Sequence, residues 1–405
     1  MMTRLILSCV LVVVLLVVGG CGPETPRPLP VFEKPTFVPL DDDAAKNLSV
    51  HLSTRLQGFD SWSALRPGLE DNLRYIRSRP QDAVCVNQPG LTLTWGQLAS
   101  SVSELLDMLE EVGSDPSLVA ERFQWLKLEP GTLLTGYYEP WLAASLTPDE
   151  RFKYPLYGVP DDLLVVDLGR FHPRWNGQKL VYRQGEHGIE PYHDREAIDA
   201  GGVLNGQEIA WTDDPVDVFF LQIQGSGRLD LPDGSSKHIL YSGKNGLQYV
   251  SIGRILIERG YIPKEEMSMQ RIRSFLNDNP DIAREILFTN PSYVFFHLAD
   301  KGPFGSIGSI LTPRVSVAVD RNMIPLGSVV ALKTALMNYE TGAVDPFLSL
   351  MLAQDTGGAI QGTRMDLFCG SGEEAESLAG HLQEGSEVFM LVSKRVLSAL
   401  PGNGN

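Results

Sequence analysis

Asp355 and Asp366 bracket the stretch of this chain best equipped for chemistry, Asp355-Thr-Gly-Gly-Ala-Ile-Gln-Gly-Thr-Arg-Met-Asp366. Two carboxyls at the rim of one loop are what acid/base work on a neutral substrate requires. Gly357, Gly358 and Gly362 carry no side chains of their own to hinder a ligand's approach to the backbone. The same Asp-Thr-Gly also fits a plain turn, its carboxylate accepting backbone N–H groups. A third aspartate, Asp320, ends the alternating run Val315-Ser-Val-Ala-Val319 and precedes a turn at Ile324-Pro-Leu-Gly327.

A second set of polar groups lies mid-chain. Thr135-Gly-Tyr-Tyr-Glu-Pro140 puts two adjacent tyrosines at the mouth of a β region, Tyr138 among them. Val218-Phe-Phe-Leu-Gln-Ile-Gln224 reads as a strand running into Gly225-Ser226-Gly227. At strand period Gln222 and Gln224 share a face with Phe220. Two amides followed by Ser226 offer donors and acceptors suited to sugar hydroxyls or acetamido groups. A solvent-facing strand side ending in an ordinary turn gives the same pattern.

The elements that must hold these groups change in texture along the chain. Residues 41–135 read as mainly helical. Thr94 is placed to cap a helix whose Leu98, Val102, Leu105, Leu106 and Leu109 share one face, with Gly113 closing it. From about Gly136 short apolar pieces alternate with turn residues, as in Leu163–Asp167, Lys179–Arg183 and a hairpin turning at Asp233-Gly234. Helical signals return at Ser251–Glu258 and Ser268–Leu276. Strands follow at Val315–Val319, Gly327–Leu332, Phe347–Ala353, which delivers Asp355, and Glu387–Val392. The fold class expected is mainly β with peripheral helices, in two β-rich lobes with a cleft between them for a polymeric ligand.

The first residues read as an address. Arg4 gives a basic start, and the apolar run Leu5–Val18 is too short for a lasting membrane span. It ends in Val18-Gly-Gly-Cys21, which resembles a bacterial lipobox. Cleavage before Cys21 would leave a lipid-bearing cysteine, followed by a spacer rich in proline over residues 21–40. Gly22, where an Asp would retain a lipoprotein at the inner membrane, points to the outer membrane facing the periplasm. Losing residues 1–20 removes one charge, Arg4, and takes the net charge from −16 to −17. So acidic a body argues against nucleic acid as a partner. Cys85 and Cys369 could pair in an oxidising compartment or stay as free thiols.

With these motifs in place, the chain resembles the membrane-bound lytic murein transglycosylase A family. The three aspartates, Thr135-Gly-Tyr-Tyr-Glu-Pro140, Leu221-Gln-Ile-Gln-Gly-Ser-Gly227 and Asn290-Pro-Ser-Tyr-Val-Phe-Phe296 carry the resemblance, in the family's order, over roughly residues 130–395. It implies a double-psi β-barrel catalytic domain with a second β domain inserted. The implied division is signal peptide 1–20, tether 21–40, N-terminal helical part 41–135, insert 136–289 and C-terminal barrel part 290–399. It implies cleavage of the β-1,4 bond between N-acetylmuramic acid and N-acetylglucosamine, leaving a 1,6-anhydro end. Asp366 matches the family's single acid/base and Asp355 its supporting aspartate; Asp320 reads as a structural pin for its turn. The groove implied takes Tyr138, Gln222, Gln224 and Ser226 from the insert, and Gly357 and Gly358 from the barrel loop.

An unperturbed Asp titrates at about 3.9, so a working Asp366 must be raised, by desolvation against Leu367 and Phe368 and by the charge of Asp355. Two other readings compete. An aspartic protease needs two Asp-Thr/Ser-Gly loops, and one is found. A non-catalytic peptidoglycan-binding lipoprotein would have no use for both Asp355 and Asp366. No metal is expected, since Glu186-His187 and His193-Asp194 lack a ligand spacing. No cofactor is expected either: Gly225-Ser-Gly227 lacks the third glycine of a dinucleotide loop.

Overall fold

A short strand, β1 (Thr36–Pro39), leads into helices α1 (Asp42–Ser49) and α2 (Arg66–Arg77). The hairpin β2 (Val84–Gln88) and β3 (Leu91–Thr94) follows, then α3 (Trp95–Asp107), α4 (Leu109–Ser114) and α5 (Leu118–Arg122). The computed structural model describes residues 34–337 and 342–398. The expected signal peptide, Cys21 and most of the tether lie outside the described residues. Thr94 starts α3 with a full capping box: its hydroxyl accepts from Gln97 N, and Gln97 Oε1 accepts from Thr94 N. Leu98, Val102 and Leu105 bury the face expected of them. The helix breaks at Met108, however, so Leu109 opens α4 and does not continue α3.

Strands β4 (Phe123–Glu129) and β5 (Thr132–Glu139) begin the barrel. The chain then leaves it for β6 (Trp141–Ser145), β7 (Tyr154–Tyr157), β8 (Leu164–Asp167), β9 (Lys179–Gly185), β10 (Gly188–Pro191), β11 (Glu208–Thr212), β12 (Ser226–Asp230), β13 (Ser236–Lys244) and β14 (Val294–Ala299). Among these lie α6 (Arg195–Asp199), α7 (Pro215–Gln224), α8 (Ile252–Glu258), α9 (Met269–Asp278) and α10 (Pro280–Phe288). It returns to the barrel with β15 (Ser316–Val319), β16 (Val329–Met337), β17 (Val344–Asp355), β18 (Met365–Ser371), α11 (Glu373–His381), β19 (Gln383–Ser393) and α12 (Lys394–Ser398).

The sheet order β19-β16-β17-β15-β18-β5 closes on itself through a β5–β19 pairing, giving a six-stranded barrel with β4 and β1 added beside β19. Closure leaves those six strands no free edges. Its core includes Val317, Leu332, Leu350, Leu352, Leu367 and Met390, all fully buried. The mainly β fold with peripheral helices is as expected.

The inserted strands form a six-stranded sheet, β14-β13-β12-β6-β11-β7, and a smaller one, β10-β9-β8. The turn at Asp233-Gly234 joins β12 to β13 as the sequence indicates. One expectation fails here. The segment ending in Gln222 and Gln224 is the helix α7, not a strand. Asp214 caps it through Val216 N, Pro215 sits in its first turn, and Gly225 ends it in the left-handed conformation. These end signals outweigh an apolar run that is buried all round and therefore shows no periodicity. The insert's α9 meets α11 of the barrel: Gln270 Nε2 donates to Glu376 O, and Arg273 pairs with Asp217 and, at 3.8 Å, with Glu376. Cys85 and Cys369 are both free thiols.

Candidate active site

Strand register brings the aspartates together. Ala318 on β15 lies opposite Asp355 on the parallel neighbour β17 and opposite Asp366 on the antiparallel neighbour β18. Asp366 in turn lies beside Thr135 on β5, and Asp320 follows the end of β15. All three therefore collect at one end of the barrel, where β15 and β17 finish and the antiparallel β18 begins.

Each aspartate has a different setting. Asp320 accepts from Asn322 N with one oxygen and from Gly362 N, 2.8 Å, with the other. It pins its own turn, as expected, and also the far side of the glycine loop. Asp355 is surrounded by donors: Ser306 N, Ser306 Oγ and Thr356 N on Oδ1, and Tyr137 OH, 2.8 Å, on Oδ2. The backbone at Asp355 is clamped too, since the preceding Gln354 is buried and bonded to Ser316, Asn72 and Gly68. Burial pushes the Asp355 carboxyl above its ordinary range, and the four donors pull it back.

Asp366 has one protein partner among the described residues. Thr135 Oγ1 donates to its Oδ1 at 2.6 Å, while Arg364 Nη2 donates to the same hydroxyl at 3.3 Å. Oδ2 is left to meet a ligand. Burial pushes the carboxyl up to about 6, the charge of Asp355 adds to this, and Thr135 and Arg364 oppose it. A carboxyl held partly protonated near neutrality, with one oxygen uncommitted, can donate a proton and later accept one. Asp355, saturated with donors, cannot do this without breaking its own network.

The structure brings Asp355 and Asp366 together, with Gly357 and Gly358 in the loop that leaves Asp355. It places the other expected residues differently. Tyr138 is buried at the junction of the two lobes, with its phenol toward Glu376 and Arg273. Gln222 is buried and accepts from Arg195 Nη2. Gln224 Oε1 accepts from Tyr138 N at 3.0 Å. Ser226 is half-buried at the start of β12. The residues that touch the aspartates, Thr135, Tyr137 and Ser306, were missed. Strand alternation along β5 carried the signal for two of them, since Thr135 and Tyr137 share the face opposite to Tyr138. Ser306 lies in an irregular loop; a methyl on neighbouring Gly305 would come within 2.5 Å of Gln354 O, so only glycine lets that loop approach Asp355.

Gln224→Ala would strip the buried Tyr138 N–H of its acceptor. We expect a stability loss of about 1–3 kcal/mol in denaturant unfolding. An unchanged unfolding midpoint would mean that this bond does not hold the lobes together.

Comparison with known proteins gives two family-model matches, the first running past 289, the expected end of the insert, as β14 does. Residues 133–297 match the model of the MltA specific insert domain, and residues 315–392 that of the 3D domain. The chain is 33% identical over 265 residues to membrane-bound lytic murein transglycosylase A of Vibrio cholerae, covering 64% of this chain and 65% of that protein. It is 34% identical over 275 residues to the Escherichia coli K12 protein of the same name, covering 67% of each. The match thus spans about two thirds of those relatives. A crystal structure of membrane-bound lytic murein transglycosylase from Agrobacterium tumefaciens superposes with a TM-score of 0.73 at 31% identity, over 90% of this chain and 99% of that one. E. coli MltA with bound chitohexaose superposes with a TM-score of 0.64 at 28% identity, over 81% and 90%.

Proposed function

The chain belongs to the membrane-bound lytic murein transglycosylase A family, and on that premise we propose that it cleaves peptidoglycan glycan strands with Asp366 as its single acid/base. The bond cut is the β-1,4 link from N-acetylmuramic acid to N-acetylglucosamine. Protonated Asp366 gives its proton to the leaving glycosidic oxygen. The C6 hydroxyl of the same muramyl residue attacks C1, and the Asp366 carboxylate takes the hydroxyl proton, leaving a 1,6-anhydro end.

The observation that carries this reading is the contrast between the two carboxyls. A hydrolase uses a second carboxyl as nucleophile or water-activating base. Both oxygens of Asp355 are taken by hydrogen bonds, whereas Asp366 has one oxygen free of protein partners among the described residues. Asp355 then orients Tyr137 and contributes its charge to Asp366. The glycan bound in the E. coli relative supports a saccharide substrate. The test is digestion of purified peptidoglycan by the detergent-solubilised chain, with the new ends identified by mass. Anhydro ends support the transglycosylase; reducing ends indicate a hydrolase; no products favour a binding protein.

Anchoring by lipid on Cys21, with the body facing the periplasm from the outer membrane, is part of the same proposal. No helix among the described residues is long and apolar enough to cross a membrane.

A pH test isolates Arg364. Its charge favours ionised Asp366, so removing it raises the Asp366 pKa further. Because the acid must be protonated, Arg364→Met is expected to move the alkaline limb of kcat/KM to higher pH. A limb that stays put, or moves down, would mean the limb reports another group.

A further inference from the structure

Lys244 ends β13 of the insert and faces the glycine loop of the barrel: a methyl on Gly358 would lie 4.0 Å from its Nζ, with nothing nearer. We infer that Lys244 is a specificity residue, its ammonium binding a carboxylate carried on the muramyl residue and so setting the frame of the glycan relative to Asp366. This rests on the function proposed above.

Three observations support it. The ammonium is exposed and makes no ion pair or hydrogen bond among the described residues, in a chain whose net charge is −16. Its base is fixed: the next residue, Asn245, is fully buried, donates to His193 O and Pro291 O, and accepts from Leu247 N and Tyr293 N. A second cation lies on the loop that Lys244 faces. Arg364 ends that loop, with its Nε buried and unpartnered among the described residues. Its charge reaches across to Tyr249 of the insert, whose phenol burial raises and Arg364 helps to lower. Two cations, Lys244 from the insert and Arg364 from the loop, thus border the gap in a molecule that is acidic overall.

The chemistry follows from the substrate. The strand contains two kinds of β-1,4 bond in alternation, and one of them must be selected. Both sugars are N-acetylated and neutral around the ring. Only the muramyl residue has a lactyl ether, which ends in a free carboxylate or is joined to a peptide that carries carboxylates of its own. An ammonium anchored at its base beside the path of the strand distinguishes the two sugars by charge.

The test uses the detergent-solubilised full chain and its Lys244→Met and Lys244→Arg variants. Cleavage is measured on intact strands and on strands stripped of peptide, whose lactyl carboxylates are free. Binding of chitohexaose, which has no carboxylate, is measured by calorimetry. Lys244→Met is expected to raise KM about three- to fivefold on carboxylate-bearing strands, the upper scale of one exposed charge pair. Its kcat and its chitohexaose affinity should stay within about twofold of wild type, and Lys244→Arg should restore KM. A KM loss confined to intact strands assigns the carboxylate to the peptide; one shared by stripped strands assigns it to the lactyl group. Unchanged KM on both, or an equal loss on chitohexaose, overturns the inference. If the wild-type chain cleaves neither strand, the proposed function fails and this inference with it.

Discussion

Asp366→Asn is expected to reduce turnover by about 10²–10⁴-fold, the usual scale for loss of a general acid, while the chain folds and binds glycan normally. The asparagine carbonyl can still accept from Thr135, so the strand pairing of β18 with β5 has no reason to change. What is lost is a proton that can be given and taken back. The same substitution should stabilise the protein at neutral pH. Asp366 titrates at about 6 in the fold and at about 3.9 unfolded. Between those values the native state holds more protons than the unfolded state, so this group's contribution is full below about pH 4 and is lost as pH rises through about 6. Asparagine, like the protonated acid, carries no charge to desolvate. A gain of about 1–3 kcal/mol is expected at pH 7, shrinking to nothing near pH 4, as read by unfolding at the two pH values. Wild-type turnover in the folded variant would remove Asp366 from the chemistry; equal stability at pH 7 would remove the strain assigned to its burial.

The second large effect is expected at Gly358. Its backbone lies outside the left-handed region, and Lys244 Nζ, at 4.0 Å, is the one atom a new Cβ would meet. Gly358→Val should therefore fold with a melting temperature close to wild type. A branched side chain there projects into the space a sugar ring must occupy. Chitohexaose affinity on the Asp366→Asn background is expected to fall more than about tenfold, or about 1.4 kcal/mol. Undiminished affinity would show that the glycan does not pass over this loop.

How much of this was legible in the sequence depends on the kind of signal. The aspartates were legible because Asp320 and Asp355 sit where a buried apolar run stops and Asp366 where the next one starts. The register that aligns Asp355 and Asp366 on Ala318 was not, since sheet order is not written in any one strand. Gln222 and Gln224 were misread because Val218–Leu221 is apolar on every face, which erases period. The caps at Asp214 and Gly225 marked a helix all the same. Tyr138 was chosen over Tyr137 although alternation from Thr135 favours Tyr137. Ser306 reaches Asp355 from an irregular loop whose path only tertiary packing determines.

The inserted lobe has a consequence for how the protein comes into being. Thr135 and Asp366, partners in one hydrogen bond, are 231 positions apart. Strand β5 leaves the ribosome early, yet both its barrel neighbours, β18 and β19, come after the whole insert. Contacts this distant in sequence are the slowest to form. The catalytic end is thus completed last, and any chain stopped before β18 lacks Asp366 altogether. A protein proposed to dissolve the wall of its own cell has no working parts while it is being made. Its topology leaves the catalytic end incomplete until β18 and β19 have been made.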